Sequence, residues 1–251
     1  MPIVRLNYHI SLEFLFGVGL LVAVAVSGCS NNEPTPVITI TRLTITVPTI
    51  IPITGTEFIS RSQSVMGDLE SFKFELTHDS GFTTLSGALQ LTTASGTVAP
   101  NGLDLEAEAK IGRAFVRVKA IVIGEQTWMT NAFTGAWSEI PPEESPFSFL
   151  DPVKMVAGIL GETQNPGFAL GGESNGDVTI IGRITAPTLA PLVGTVDPDA
   201  VPSVEMIFVP ESYILKKIII SGVVQPEDEP DTIRVITLSE FDKQVSLEPP
   251  I

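Results

Sequence analysis

The feature that most limits the fold is a period-two alternation of apolar and polar residues that begins at Phe72 and recurs along most of the chain. Phe72, Phe74 and Leu76 alternate with Lys73, Glu75 and Thr77, and Leu85, Gly87, Leu89 and Leu91 make the next apolar face. Leu103, Leu105, Ala107 and Ala109 then alternate with Asp104, Glu106, Glu108 and Lys110, and Val116, Val118, Ala120 and Val122 continue the series. Successive side chains of a strand point to opposite faces, so this pattern predicts antiparallel strands, dry on one side and wet on the other. Asp79-Ser80-Gly81 and Pro100-Asn101-Gly102 have the residues of tight turns and join them as a meander.

A shorter pair, residues 126–130 and 136–139, carries Trp128 and Trp137 across a turn at Thr134-Gly135. Further strands are expected at 178–185, 204–209, 213–223 and 232–238. Two helices interrupt them. Thr54-Gly55-Thr56-Glu57 has the form of a capping box, in which Thr54 accepts from the Glu57 N–H while the Glu57 carboxylate reaches back. Phe58, Ile59, Ser62, Val65, Met66 and Leu69 follow at helical spacing. Asp151-Pro152 opens a second helix with Val153, Val156, Ile159 and Leu160 as its apolar face and Gly161 as its end. Residues 187–193 give at best a short helix, interrupted by Pro191. Nine or ten strands and two or three helices make an α+β domain. An antiparallel sheet that long must curl, so a half-barrel with helices on its concave face, enclosing a hydrophobic cavity, is expected.

The amino-terminal stretch sets the compartment. Residues 14–26 (FLFGVGLLVAVAV) are an unbroken run of apolar residues and glycines behind Arg5, too short for a comfortable bilayer span. Val26-Ser27-Gly28-Cys29 then reads as a lipobox, and Cys29 is the only cysteine in the chain. The alternative is an ordinary secretory peptide with a cysteine near its cleavage point. Acylation of Cys29 would place the protein on the outer face of a bacterial cell membrane, since two or more acyl chains suffice for stable anchoring. It would also leave no thiol for a disulfide, so the core must hold the fold unaided. The expected organisation is a signal peptide at 1–28, the acylated Cys29 and an extended Thr/Pro/Ile stalk at 29–53, and a folded domain at 54–251. The prolines at 34, 36, 48 and 52 favour the stalk, although 37–47 could instead add an edge strand.

Arg5 and Glu13 cancel in the leader, so the formal charge of −15 belongs to the remainder. Such acidity argues against nucleic acid as a partner. No catalytic constellation is complete. Gly172-Glu173-Ser174-Asn175-Gly176 matches G-x-S-x-G, but a strand rather than a helix is expected after it, and no histidine follows in the chain. His78 beside Asp79 and Glu75 lacks companions for a transition-metal site and reads as a solvated strand end. Residues 226–231 (PEDEPD) lack the central glycine of a calcium loop and read as an acidic hairpin that discourages edge pairing. Trp128 and Trp137 suit packing at a sheet end better than sugar stacking. No enzyme activity, metal or cofactor is expected.

In order and spacing, the parts resemble the LppX/LprG (LppX_LprAFG) family of bacterial cell-envelope lipoproteins. The likeness runs from about Glu57 to about Asp242. It is carried by the amphipathic first helix, FKFELTHDSG, the strand pair around Pro100-Asn101-Gly102-Leu103, and IVIGEQTWMTNAFTGAWSEIPPEE leading to FLDPVKMVAGIL. Gly124 with Trp128, Gly135 with Trp137, and the Asp151-Pro152 opening with Gly158 inside that helix are its most telling points. The resemblance implies a half-barrel over a large hydrophobic cavity, similar to periplasmic lipoprotein carriers, that binds multi-acylated lipids or glycolipids and moves them across the envelope. It supplies no short ligand motif, so the expected lining comes from the strand faces. That lining is Phe72, Phe74, Leu89, Leu91, Leu103, Leu105, Val116 and Val118, with Met155, Val156 and Ile159 at a mouth or lid and small inward residues leaving room. The expected partners are a lipid or glycolipid, the membrane through Cys29, and an export partner the sequence does not name. A surface scaffold with a filled core and a protein partner is the alternative.

Overall fold

The computed structural model describes residues 53–85, 89–169 and 176–251. The lipobox, Cys29, the stalk and Ser174 lie outside the described residues. Twelve strands form one antiparallel sheet: β1 (Phe72–Ser80), β2 (Thr83–Thr84), β3 (Leu89–Ala99), β4 (Gly102–Ile111), β5 (Ala114–Ile123), β6 (Gln126–Thr130), β7 (Trp137–Ile140), β8 (Gln164–Phe168), β9 (Val178–Arg183), β10 (Ser203–Phe208), β11 (Leu215–Ser221) and β12 (Ile233–Ser239). The order across the sheet is β7-β6-β5-β4-β3-β1-β12-β11-β10-β9-β8, with β2 paired to β3 beside this path. β1 is therefore central. One meander runs outward from it to β7, the chain crosses to β8, and a second meander returns to place β12 against β1.

The expected curved sheet with three helices is observed, and the sheet stays open rather than closing on itself. Of the strand face expected over Leu85, Gly87, Leu89 and Leu91, Leu85 lies outside a strand, Gly87 lies outside the described residues, and Leu89 and Leu91 belong to β3, which runs on to Ala99. Its Thr, Ser and Gly residues hide it from a hydrophobic pattern. β8 was unexpected because it contains Pro166; it is an edge strand, where a missing N–H is tolerated.

Helix α1 (Gly55–Gly67) starts as expected, with Thr54 Oγ1 accepting from the Glu57 N–H at 3.1 Å. The Glu57 carboxylate does not reach back. It accepts instead from Arg61 one turn on, at 2.6 Å, and an exposed i,i+4 pair of opposite charge competes well with a cap contact. Phe58 inserts into the core, its ring 5.2 Å from that of Phe208 and 4.8 Å from that of Tyr213. Ser62 is fully buried on the same face, and its hydroxyl is the only buried side-chain polar atom without a hydrogen bond among the described residues. Helix α2 (Pro152–Glu162) is capped by Asp151, whose Oδ1 accepts from the Lys154 N–H at 2.9 Å. It buries Met155, Val156, Ile159 and Leu160, whereas Val153 is 53% exposed and the helix continues one residue past Gly161. A 3-10 turn (Ala186–Leu189) leads into the one-turn α3 (Ala190–Val193).

Two groups expected to be solvated, Asp228 of the acidic loop and His78, are instead drawn into a buried polar network, while Glu227, Glu229 and Asp231 are exposed. Arg234, at an inward position of β12, is fully buried and forks onto Asp228, with both contacts at 2.8 Å. Its Nε donates to Thr83 Oγ1 at 2.9 Å and its Nη2 to the Phe82 carbonyl at 3.1 Å. Asp228, from the acidic loop, also accepts from the Val224 and Gln225 N–H groups. Gln225 donates to the carbonyls of Thr84 and Val193, and its own carbonyl accepts from the Thr84 N–H. The Pro226 to Asp231 loop thus turns one carboxylate inward, because a buried guanidinium needs a counter-charge and a full set of acceptors. His78, opposite Arg234 in the ladder, is half-buried, with Nδ1 2.9 Å from the Thr92 carbonyl and Nε2 3.0 Å from Thr83 Oγ1.

Two stability measurements follow. Asp228→Asn leaves the guanidinium buried without its counter-charge and is expected to cost about 3–5 kcal/mol in urea unfolding. Ser62→Ala removes an unsatisfied hydroxyl and is expected to raise stability by up to about 1 kcal/mol. A loss on Ser62→Ala would show that the hydroxyl has a partner in solution.

Candidate lipid-binding cavity

The pairing register lines up the floor of a cavity across four strands. Val98, Leu103, Val122 and Thr127 form one cross-strand row, and Gly96, Leu105, Ala120 and Met129 form a second. Small residues decide the volume. Ala99, Gly102, Ala120 and Gly124 are among the lining of a half-enclosed cavity of about 350 Å³, and at Gly102 the sheet itself excludes a side chain, since a Cβ would meet the Val122 carbonyl oxygen. At Gly96 no side chain is possible, because a Cβ would run into the Asp104 carbonyl oxygen of the neighbouring strand and lie 2.9 Å from the Phe74 ring.

The roof is the stretch between β7 and α2. It contributes Pro142, Ser145, Phe147, Ser148, Leu150 and Asp151, and the first residues of α2, Pro152 and Val153, complete the rim. One turn of 3-10 helix (Pro142–Glu144) is its only regular structure. Beyond that it is held by local bonds: the Phe147 N–H to Ser145 Oγ, the Leu150 N–H to the Phe147 carbonyl, and the Asp151 N–H to the Pro191 carbonyl of α3. On its other side lies a larger cleft of about 710 Å³ with a more polar wall that includes Glu143, Glu144, Lys154 and Thr195. Ser145, Ser148 and Asp151 border both spaces, so this segment is the partition between them.

Of the expected lining residues, Leu103 and Leu105 line this cavity. Phe72, Phe74, Leu91, Met155, Val156 and Ile159 are buried in the common core that α1, α2 and the sheet share. Leu89 and Val118 are half-buried against that core, and Val116 is half-buried on β5. The missed residues are Val98, Ala99, Val122 and the roof. Val98 and Ala99 belong to the unrecognised part of β3, and the roof reads in sequence as a Pro-rich connector. Trp128 is buried on β6, and Trp137 is half-exposed on the edge strand.

The wall of this cavity is neutral apart from Asp151, which is occupied by its capping bond and by Lys154 at 3.0 Å. Among the described residues, no group of three or more His, Cys, Asp or Glu could hold a metal ion. Two groups in the nearby polar network are shifted. Burial pushes the His78 imidazole below its ordinary pKa; the bond to the Thr92 carbonyl opposes this, the Arg234 charge adds to it, and Asp228 opposes it weakly. Burial pushes the Asp228 carboxyl upward, but the Arg234 hydrogen bond, the backbone N–H groups and the Arg234 charge outweigh it, so the net shift is downward.

Comparison with known proteins follows from this geometry. No family model matches the sequence, and no curated protein sequence is similar to it. Among solved structures, LprF from Mycobacterium bovis matches with a TM-score of 0.56 at 17% identity, over 78% of this chain and 96% of LprF. The lipoprotein LppX from Mycobacterium tuberculosis matches with a TM-score of 0.50 at 17% identity, over 77% of this chain and 98% of LppX.

The network makes stability depend on pH. His78 is harder to protonate in the folded state, so below its unfolded value of about 6.5 the unfolded chain binds more protons and stability falls as pH falls. Urea midpoints measured from about pH 7.5 down to pH 5 should decline in the native chain. They should be flatter in His78→Gln; an equal decline would remove His78 as the cause. At about pH 7 and above the His78 contribution is complete, and the Asp228 contribution is lost only as the medium becomes more acidic than about pH 4.

At this level of likeness what is shared is the architecture, and the chain has the fold of the LppX/LprG lipoproteins.

Proposed function

We propose that this protein is a non-enzymatic, membrane-anchored lipoprotein that holds the acyl part of a lipid or glycolipid and carries it within the bacterial cell envelope. The observation that carries this reading is the apolar cavity on the concave face of β3–β6, bounded by Val98, Leu103, Leu105, Val122, Phe147 and Leu150. Burial of each methylene is worth about 0.8 kcal/mol, so such a wall binds an acyl chain with no catalytic group. Supporting it are the fold shared with LprF and the lipoprotein LppX and the lipobox at Cys29. At about 350 Å³ the cavity is at the small end of the range of ligand sites, roughly 300–1,000 Å³. Larger cargo requires the 145–151 partition to shift, joining the cavity to the adjoining cleft. Acylation of Cys29, with 29–53 as a stalk, would hold the domain at the outer face of the membrane.

A second reading, a surface scaffold that binds protein, is favoured by how completely the other half of the concave face is filled. Phe208, Leu215, Ile218 and Ile220 there are fully buried.

Native mass spectrometry of residues 54–251 purified from a bacterial host, before and after organic extraction, separates the two readings. A heterogeneous added mass released as acyl lipid supports the carrier. Leu103→Glu, which puts a charge into the cavity wall, should then lower the lipid-bound fraction severalfold while leaving the fold intact. A single unadorned mass that also refuses added phospholipid or glycolipid sinks the carrier and leaves the scaffold.

A further inference from the structure

The hairpin between β4 and β5 ends in an exposed apolar and basic tip. Ile111 is 49% exposed and Phe115 71% exposed on either side of the turn at Gly112. The β6–β7 loop points toward the same end of the sheet, because β6 runs antiparallel to β5 with Ala120 opposite Met129, and it carries Phe133 at 89% exposure. Three large apolar side chains in water at one end of a sheet call for a partner.

The charge at this end selects the partner. Residues 110–119 (KIGRAFVRVK) hold four of the 14 Lys and Arg of a chain with net charge −15, and they contain no Asp or Glu. Arg117 and Lys119 are taken up by Glu106 and Glu108 on β4. Lys110 and Arg113, nearest the tip, make no ion pair among the described residues, and Lys110 Nζ lies 5.0 Å from the centre of the Phe115 ring. Exposed aromatics flanked by unpaired cations suit the interface of an anionic lipid layer, where rings sit at the headgroup level and each cation is drawn to the surface charge. A protein partner would call for a groove or a flat face, whereas these side chains stand on separate turns. The rest of this acidic molecule is repelled by an anionic surface, so the tip is the end that meets it.

We infer that Ile111, Phe115 and Phe133, with Lys110 and Arg113, form a docking tip for an anionic lipid surface. This does not depend on what the cavity binds. The tip and the cavity lie at opposite ends of β4 and β5, so docking leaves the cavity end free for a second partner.

The test uses the whole chain with Cys29→Ser, so that an engineered thiol is unique, and places a fluorophore at Ala132→Cys beside Phe133 or at Glu211→Cys in the β10–β11 loop at the other end. Vesicles of phosphatidylcholine, with or without phosphatidylglycerol, carry a nitroxide quencher near the headgroups. Any tether from the amino-terminal segment is common to both labels, so their difference reports on the tip alone. Quenching at 132 and not at 211, confined to vesicles with phosphatidylglycerol, is expected. Lys110→Gln with Arg113→Gln should reduce the ratio of quenched to unquenched chain on the order of thirtyfold, and Phe115→Ser with Phe133→Ser should abolish quenching. Equal quenching at both positions, indifference to phosphatidylglycerol, silence at 132, or a signal at 132 that needs only a second copy of the chain would each overturn the proposal.

Discussion

The pairing of β1 with β12 holds the two halves of this molecule together. Lys73 sits opposite Ser239 and Leu76 opposite Ile236, contacts between residues more than 150 positions apart. Each meander closes locally, strand to adjacent strand, but neither covers its own apolar face until this ladder forms. The closure entropy of so long a loop must be offset at the junction, and here it is offset by apolar and polar contacts along the inward face of the ladder. Leu76 and Ile236 are buried on the apolar side, and one step further Arg234 reaches from β12 to Thr83 and Phe82 beyond the end of β1. An apolar residue at that position would pack, but it would leave the Thr83 hydroxyl and the Phe82 carbonyl without the guanidinium that now engages both.

The two halves then diverge. On the β8–β12 side, α1, α2 and α3 press large side chains into the concavity, and Phe58, Phe208, Met206 and Leu215 are buried in one shared core. On the β3–β6 side the inward residues include the small Ala107, Ala109 and Ala120 among Val98, Leu103, Leu105 and Val122, and the cover is a loop with a single 3-10 turn. A loop has no ridge of regularly spaced side chains to drive into the sheet, so small residues beneath it leave space instead of being filled. The cavity is a consequence of that mismatch.

This division also governs what sequence could disclose. Alternating faces at Phe72–Leu76 and Leu103–Ala109 and the caps at Thr54 and Asp151 were legible because each rests on a local rule: side-chain period or an oxygen three residues from an N–H. The second half of β3 was not, because Ser95, Gly96 and Thr97 owe their strand to partners on both sides rather than to hydrophobicity. Arg234 occupies an inward slot of the pattern Thr232, Arg234, Ile236, Leu238, and that misplaced charge was the available signal. Its acceptors come from two other segments, residues 82–83 and 225–228, and no spacing rule connects those. The lining of the cavity failed for the same reason: Leu103 and Leu105 were visible from their own strand, but which inward residues stay uncovered depends on where the roof lands.

The same division bears on how a cargo could enter. Opening the helix-covered half means separating α1 from Phe208 and Tyr213 and exposing a core whose residues are nearly all below a tenth of full exposure. At about 25 cal/mol per Å² of apolar surface such exposure costs a large share of a domain's whole stability. The roof over the other half is tied by a few backbone bonds, among them Asp151 to Pro191, and its Phe147 is the one large side chain it buries fully. Lifting it exposes little beyond that ring and the cavity floor, and an acyl chain laid in its place would cover the floor again. In a carrier built on this fold, the roof from Pro142 to Asp151 is therefore the element that can yield while the β1–β12 ladder and its buried arginine keep the sheet intact.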